Sequence, residues 1–238
     1  MYIVEGNIGV GKSTFLELIA KHIPQIDVVK EPKNNWINQI FGQSLLENFY
    51  KEPKRWAYTM ETLAMICRSR DHIAEQSKSE EIVVMERSIY SGHYCFAING
   101  YHSGYFTPIE WSIYQKWADF ILTQKCQPPK GFIYLKATPQ VCMERIKKRN
   151  RISEKKITVS YIKQLEHWHE KFLSKKEGVT ENIKNVPVLT INCNQDFLEN
   201  EQNMQKMLVL LQNFIEKTTE TDKFKPTIKL SKEETLKL

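Results

Sequence analysis

The sequence predicts an α/β protein with a five-stranded parallel sheet covered by helices on both faces. The prediction rests on a pattern, an alternation and one motif. Short β-branched runs recur along the chain and are nearly continuous in hydrophobicity, as strands buried on both faces are. Longer segments of helical periodicity separate them, and such alternation needs crossover connections and hence a parallel sheet. The stretch EGNIGVGKST, residues 5–14, joins the first strand to the first helix as a phosphate-holding loop does.

Taken in order, strands are expected at residues 2–5, 26–29, 82–85, 132–135 and 186–191. A long helix is expected over residues 55–76. Another spans residues 107–125: Thr107 is its cap, Pro108 lies in its first turn and Glu110 occupies the capping-box position. Thr138 and Pro139 open a further helix in the same way, and residues 160–174 and 197–217 complete the set. Ligands of such sheets bind beyond the carboxyl ends of the strands, so the residues that follow each strand are the candidates for chemistry.

A chain of 238 residues suits one domain with a substantial core, here expected over residues 1–217. The net charge of +6 fits an anionic ligand. It argues only weakly for nucleic acid, because basic residues are interspersed with almost as many acidic ones. Cys67, Cys95, Cys126, Cys142 and Cys193 are widely spaced, as reduced thiols of a cytoplasmic protein are. No apolar run approaches the roughly 20 residues that span a bilayer, so no membrane contact is expected. With the first strand placed at the very start, neither a signal peptide nor a transit segment is expected. Residues 218–238, TTETDKFKPTIKLSKEETLKL, read as a charged tail with little to bury.

The loop fits G-x-x-x-x-G-K-S at Gly6, Gly11, Lys12 and Ser13. Its glycines let successive amide N–H groups approach phosphate oxygens, and the following helix presents its positive end there. Gly6, Asn7, Gly9, Val10, Gly11, Lys12, Ser13 and Thr14 are therefore candidate phosphate-loop residues. Lys12 would neutralise β- and γ-phosphates, and the Ser13 hydroxyl would help to hold Mg²⁺. After the second strand comes Glu31, placed to take a proton from an attacking hydroxyl. After the third come Glu86 and Arg87. Glu86 stands where an acidic group would hold water on Mg²⁺, and Arg87 could orient Glu31 and meet developing charge. Taken alone, either glutamate could be a strand-end surface charge. The run RIKKRNR places Arg145 and Arg149 on one helix face, with Arg151 just beyond. It reads as a nucleic-acid patch, a solvated charge run, or a set of cations that closes over a triphosphate. His167 and His169, two positions apart, point to different helix faces and make a poor metal pair.

The motifs EGNIGVGKST, EP with Trp36, FYKEPKRW, MERSIYS, IYLKATPQVCMERIKKRNR and LTINCNQDF occur in this order. Together they resemble the deoxynucleoside kinases, the group of deoxycytidine, deoxyguanosine and mitochondrial thymidine kinases and the insect multisubstrate enzyme. The resemblance covers nearly all of residues 1–215. It implies a P-loop kinase fold with an arginine-rich lid, ATP as phosphoryl donor with Mg²⁺, and a deoxynucleoside as acceptor. It implies Glu31 as general base on the 5′-hydroxyl, with Arg87 holding that region and the transferring phosphoryl group. Tyr50 and Glu154 would bond the sugar 3′-hydroxyl, and Arg145, Arg149 and Arg151 would be lid arginines. Asp196 and Phe197 would border the donor base. Ile8, Trp36, Leu46 and Phe96 would line the acceptor pocket, with Met60 at its edge. A homodimer packed through the helices at residues 55–76 and 107–125 is also implied, and the aromatic residues there, Trp111 and Trp117 among them, permit it.

One position departs from the family. Where its members carry the glutamine that reads the base edge, this chain has Glu61. Arg68 matches a family arginine, but the aspartate that partners it there is Gly92 here. Glu61 and Arg68 share a helix face, two turns apart. Either Glu61 replaces the lost aspartate as the partner of Arg68 and base choice stays broad, or Glu61 and Arg68 together read guanine. An ionised carboxylate is acceptor-only. It suits guanine N1–H and N2–H₂, while Arg68 would donate to O6 or N7. The small Ala64, one turn on, leaves room for a purine. A purine preference with deoxyguanosine first is expected; a broad or pyrimidine-preferring kinase, a nucleoside monophosphate kinase and an inactive kinase-fold assembly subunit are the alternatives.

Overall fold

The computed structural model describes residues 1–31, 44–78, 81–195 and 200–219. Trp36, Asp196, Phe197 and all but the first residues of the expected tail lie outside them. Strands β1 (Tyr2–Gly6), β2 (Ile26–Val29), β3 (Ile82–Glu86), β4 (Gly131–Lys136) and β5 (Val188–Asn192) form one sheet in the order β2-β3-β1-β4-β5. Every pairing is parallel, with Tyr2 opposite Val84 and Val4 opposite Ile133. From β1 the chain runs to the edge strand β2, returns with β3 between the two, and then crosses to β4 and β5 on the other side. The carboxyl ends of β1, β2 and β3 therefore open beside one another, where ligands of open α/β sheets bind.

The helices are α1 (Lys12–His22), α2 (Leu45–Lys51), α3 (Pro53–Gln76) and α4, which runs through Ile89–Ser91, Gly92–Ala97 and Ile98–His102. They continue with α5 (Pro108–Gln124), α6 (Pro139–Arg149), α7 (Val159–His169), α8 (Glu181–Lys184) and α9 (Glu201–Thr218). They cover both faces because the strands alternate. Tyr2 and Val4 belong to a core with Phe15, Ile19, Leu208 and Leu211, against α1 and α9. Ile3 belongs to a second core with Tyr90, Tyr114 and Phe132, against α4 and α5. Complete burial of such side chains is worth roughly 1.5–3 kcal/mol each, so these layers dominate stability.

Local chemistry sets the helix ends. Thr107 accepts from the Glu110 amide while Glu110 reaches back to Thr107, which is the expected capping box. Thr138 and Thr158 cap α6 and α7 in the same way from their hydroxyls. The last strand starts later than residue 186, because Val186 donates to Ile183 in a closing turn and Pro187 has no N–H for a ladder. The last helix starts at Glu201, where Asn200 accepts from the Asn203 amide and supplies the cap. The helix expected over residues 160–174 is α7 followed by a π turn at Glu170–Lys175.

Candidate active site

The loop after β1 is shaped by glycines in positive φ. Gly6 has φ 145° and Gly9 φ 79°, and a Cβ on either would lie 2.4 Å from a backbone oxygen, of Leu135 and Cys142 respectively. No larger residue fits these positions without moving the backbone. Lys12, first residue of α1, is buried and donates from Nζ to Gly6 O at 3.0 Å and Asn7 O at 2.8 Å. The Asn7 side chain ties the loop to α7, donating to Ile162 O at 2.8 Å. No side chain caps α1, whose first-turn N–H groups face the loop. Ser13 Oγ donates to Glu86 Oε1 at 3.0 Å, so the two residues expected at a divalent cation come together from α1 and β3.

Glu31, just past β2, sits between two arginines. Its Oε1 accepts from Arg68 at 2.6 Å (Nη2) and 3.2 Å (Nε), and its Oε2 lies 3.5 Å from Arg87 Nε. All three side chains are at least nine-tenths buried. Arg87 has φ 65°, unusual for a non-glycine residue, and its amide donates to Val4 O at 2.9 Å. Both guanidiniums lie over the Phe96 ring, Arg87 at 4.6 Å and Arg68 at 5.7 Å from its centroid. Arg87 Nη1 is buried with no hydrogen-bond partner among the described residues. A buried cationic N–H without an acceptor is costly, and an incoming anion would satisfy it.

A cavity of about 420 Å³ joins the phosphate loop to these groups. Ile8, Leu46, Tyr50, Met60, Ala64 and Phe96 line its apolar part. Glu61 enters from α3, buried, and no hydrogen bond or ion pair reaches its carboxylate among the described residues. The first expectation for this residue is corrected: Arg68 does not pair with Glu61 but with Glu31. The absence of a side chain at Gly92 explains it, since a Cβ there would meet Arg68 Nη1 at 2.8 Å. The arginine fills that space and bonds the Glu31 carboxylate. Burial pushes the Glu61 carboxyl up to about 7, with Arg68 and Arg87 opposing the shift and Glu31 adding to it.

The residues expected as lid arginines converge on the same cavity but are differently engaged. Arg149 holds Glu154 through Nη2 at 2.6 Å and Nε at 3.0 Å, and Arg151 reaches the same carboxylate at 3.4 Å. Glu154 is buried beside Tyr50, whose hydroxyl is shifted upward by burial and then by the Glu154 charge. Arg145 instead donates to three carbonyls: Val10 O at 3.0 Å, Cys193 O at 2.8 Å and Gln195 O at 3.3 Å.

Sequence reasoning passed over three contributors. Glu5 is fully buried at the end of β1 and accepts from Ser88 Oγ. Burial pushes its carboxyl upward, countered by Arg87, Ser88 and Ser91. An acidic residue within an otherwise apolar strand was the available signal. Tyr161 and Lys148 also line the cavity; both lie on helix faces that periodicity alone leaves anonymous. Trp111, by contrast, is an internal residue that stacks on Tyr101 and Tyr114, whereas Trp117 is half exposed.

The model of the deoxynucleoside kinase family matches residues 2–216. Deoxycytidine kinase 2 of Gallus gallus is 38% identical over 229 residues, covering 87% of this chain and 86% of that protein. The mitochondrial deoxyguanosine kinase of Xenopus laevis is 38% identical over 220 residues, covering 83% and 82%. Human deoxycytidine kinase is 34% identical over 224 residues, covering 84% and 86%. With the loop, the strand-end carboxylates and the sheet order already in place, the chain belongs to the deoxynucleoside kinase family and is a phosphotransferase.

Proposed function

We propose that the enzyme transfers the γ-phosphoryl group of ATP to the 5′-hydroxyl of a deoxynucleoside, with deoxyguanosine the preferred acceptor. The observation that carries the reading is the Glu31 carboxylate, held between Arg68 and Arg87 on the wall of the cavity that opens from the phosphate loop. In the proposed reaction Glu31 orients the 5′-hydroxyl and accepts its proton as the oxygen attacks the γ-phosphorus. The β–γ oxygen bridge breaks, and ADP leaves with the electron pair. Arg87, with an N–H unsatisfied among the described residues, and Lys12 meet the charge that spreads over the transferring group.

The residues present fit Mg²⁺. Ser13 Oγ and Glu86 are already adjacent and offer hard oxygen donors. Bound there, the ion would neutralise phosphate charge and orient the triphosphate. Arg149 and Arg151 act as lid cations in this reading. Tyr50 and Glu154 hold the sugar 3′-hydroxyl.

Support for deoxyguanosine comes from Glu61, which stands in the cavity wall beside Arg68 with no hydrogen-bonding partner among the described residues. Ionised, it is acceptor-only and matches guanine N1–H and N2–H₂. Each mismatched polar group in such a pocket costs about 1–3 kcal/mol, or roughly ten- to hundredfold in discrimination.

The proposal includes a homodimer. Ile66 and Ile73 of α3 and Ile109, Ile113 and Trp117 of α5 are large apolar residues left exposed on two packed helices. It also includes a cytoplasmic setting, which the five buried free thiols suit.

The test is ADP formation from Mg²⁺ and ATP with each of the four deoxynucleosides in turn. Deoxyguanosine is expected to lead. Equal rates, or a leading pyrimidine, would overturn the base preference. Turnover with none of them, and with deoxynucleoside monophosphates instead, would overturn the acceptor assignment.

A further inference from the structure

Glu61 is buried yet has no bond to any described residue, although two guanidiniums stand nearby. Arg68 is committed to Glu31 at 2.6 Å, and Arg87 to the same carboxylate. Among the described residues, several charged and titratable groups face Glu61. Arg68 shares its helix, Glu31 stands at the end of β2 and Arg87 follows β3. Among the described residues, Tyr50 of α2, Tyr114 of α5 and Tyr161 of α7 face it as well. Burial pushes all three tyrosine hydroxyls upward, so they stay neutral near physiological pH. Glu31, Glu61 and the buried Glu5 at the end of β1 all act on these two cations. A proton gained or lost at Glu61 changes the charge of the pocket by one unit.

We infer that Glu61 reads the base edge in two protonation forms, ionised against guanine and neutral against adenine or cytosine. The inference rests on the proposed placement of the base against Glu61. The hydrogen-bond chemistry of the two forms differs completely. Ionised, the side chain offers two acceptors, which only guanine answers with paired N–H donors. Neutral, it offers one O–H donor and one carbonyl acceptor, the same pair that a glutamine amide presents. Adenine and cytosine place a ring-nitrogen acceptor beside an exocyclic amine, and this form complements them. Glu61 titrates near 7 in the free protein, so both forms are available around neutrality at little cost. Deoxyadenosine and deoxycytidine would take up a proton on binding, whereas deoxyguanosine would release one. By linkage, the preference for deoxyguanosine over deoxyadenosine should rise with pH by up to about tenfold per unit between pH 6 and 8.

The experiment is kcat/KM for deoxyguanosine and deoxyadenosine at several pH values from 6 to 8, for the wild type and Glu61→Gln. Effects on Glu31, ATP and Mg²⁺ cancel in the ratio, and the bases do not titrate in this range. The wild-type ratio is expected to climb with pH and the E61Q ratio to stay flat. A companion titration of binding heat in buffers of different ionisation enthalpy reads the proton directly, without turnover. Proton uptake with deoxyadenosine and release with deoxyguanosine support the inference. A wild-type ratio that favours deoxyguanosine but is independent of pH, with no proton exchanged, would overturn it and leave the guanine reading standing. A ratio near one at every pH, unchanged in E61Q, would overturn both.

Discussion

Arg68 Nη2 stands 2.6 Å from Glu31 Oε1, joining the middle of α3 to the end of β2 across 37 residues of sequence. The pair is buried and shares its carboxylate with Arg87. A charge pair of this kind contributes little beyond an apolar pair of the same shape, but removing one partner leaves the other stranded.

Arg68→Met is therefore expected to lower stability by about 3 kcal/mol at neutral pH. Arg87 still touches Glu31 in the variant, so activity should fall rather than vanish. A drop of at least about tenfold in kcat/KM, common to all nucleosides, corresponds to loss of one charge-assisted bond. Thermal melting and steady-state kinetics check the two halves separately. A variant as stable as the wild type would show that the Glu31 pair contributes nothing.

Ser13→Ala removes the hydroxyl that meets Glu86 at 3.0 Å. Both residues belong to regular elements whose backbone bonds remain, so the fold should survive. The expected result is a higher Mg²⁺ concentration for half-maximal rate, with kcat lowered about tenfold or more at low Mg²⁺ and partly restored by excess ion. A titration of rate against Mg²⁺ decides it; an unchanged midpoint would remove Ser13 from the cation site.

Glu154→Gln weakens the carboxylate that Arg149 and Arg151 share. If Glu154 also holds the sugar, KM should rise by a similar factor for all four nucleosides, about tenfold for one charge-assisted bond. The ranking of the bases should not move, because the sugar is common to them. Steady-state kinetics with each nucleoside provide the check. A change confined to one base would place Glu154 at the base instead.

The pH dependence of stability offers a test independent of catalysis. The Glu61 carboxyl is raised by burial from an ordinary 4.5 to about 7 in the folded state. A raised carboxyl destabilises as pH increases: its favourable balance is complete below 4.5 and is lost between 4.5 and 7. Glu61→Gln should match the wild type near pH 4.5 and exceed it at pH 8 by about 3 kcal/mol. His169 has the opposite direction. Burial lowers it to about 3, so its contribution holds above 6.5 and is lost as pH falls below that value. Melting curves from pH 4 to 8 would resolve both windows. An E61Q variant no more stable than the wild type at pH 8 would contradict the first.

Trp117 is the largest exposed residue of the apolar surface on α3 and α5. Trp117→Lys should convert a dimer into a monomer in sedimentation while preserving the helical circular dichroism signal. A wild-type chain that sediments as a monomer at micromolar concentration would dispose of the proposed association.

Strands and the phosphate loop could be read from the sequence because their signals are local: continuous apolar runs, glycines at fixed spacing, hydroxyl caps before prolines. The run SIYSGHYCFAING offers no such period, and its helix contains a π turn at Gly92–Ala97 that breaks the repeat. Glu31, Glu86 and Arg87 could be anticipated from their positions after strands. The partner of Arg68 could not, because it depends on a missing side chain at Gly92 and on how far α3 lies from β2. Arg145 could be placed on the correct helix, but its three carbonyl acceptors come from two loops distant in sequence.

Those three bonds have a consequence for motion. One guanidinium fastens Val10 in the phosphate loop to Cys193 and Gln195 after β5. Proteins open locally in cooperative units, and this bridge is expected to place both segments in one of them. Amide hydrogens near Val10 and near Cys193 should therefore exchange with solvent at a common rate, although more than half the chain separates them. Arg145→Ala should uncouple the two rates before it alters the rest of the sheet.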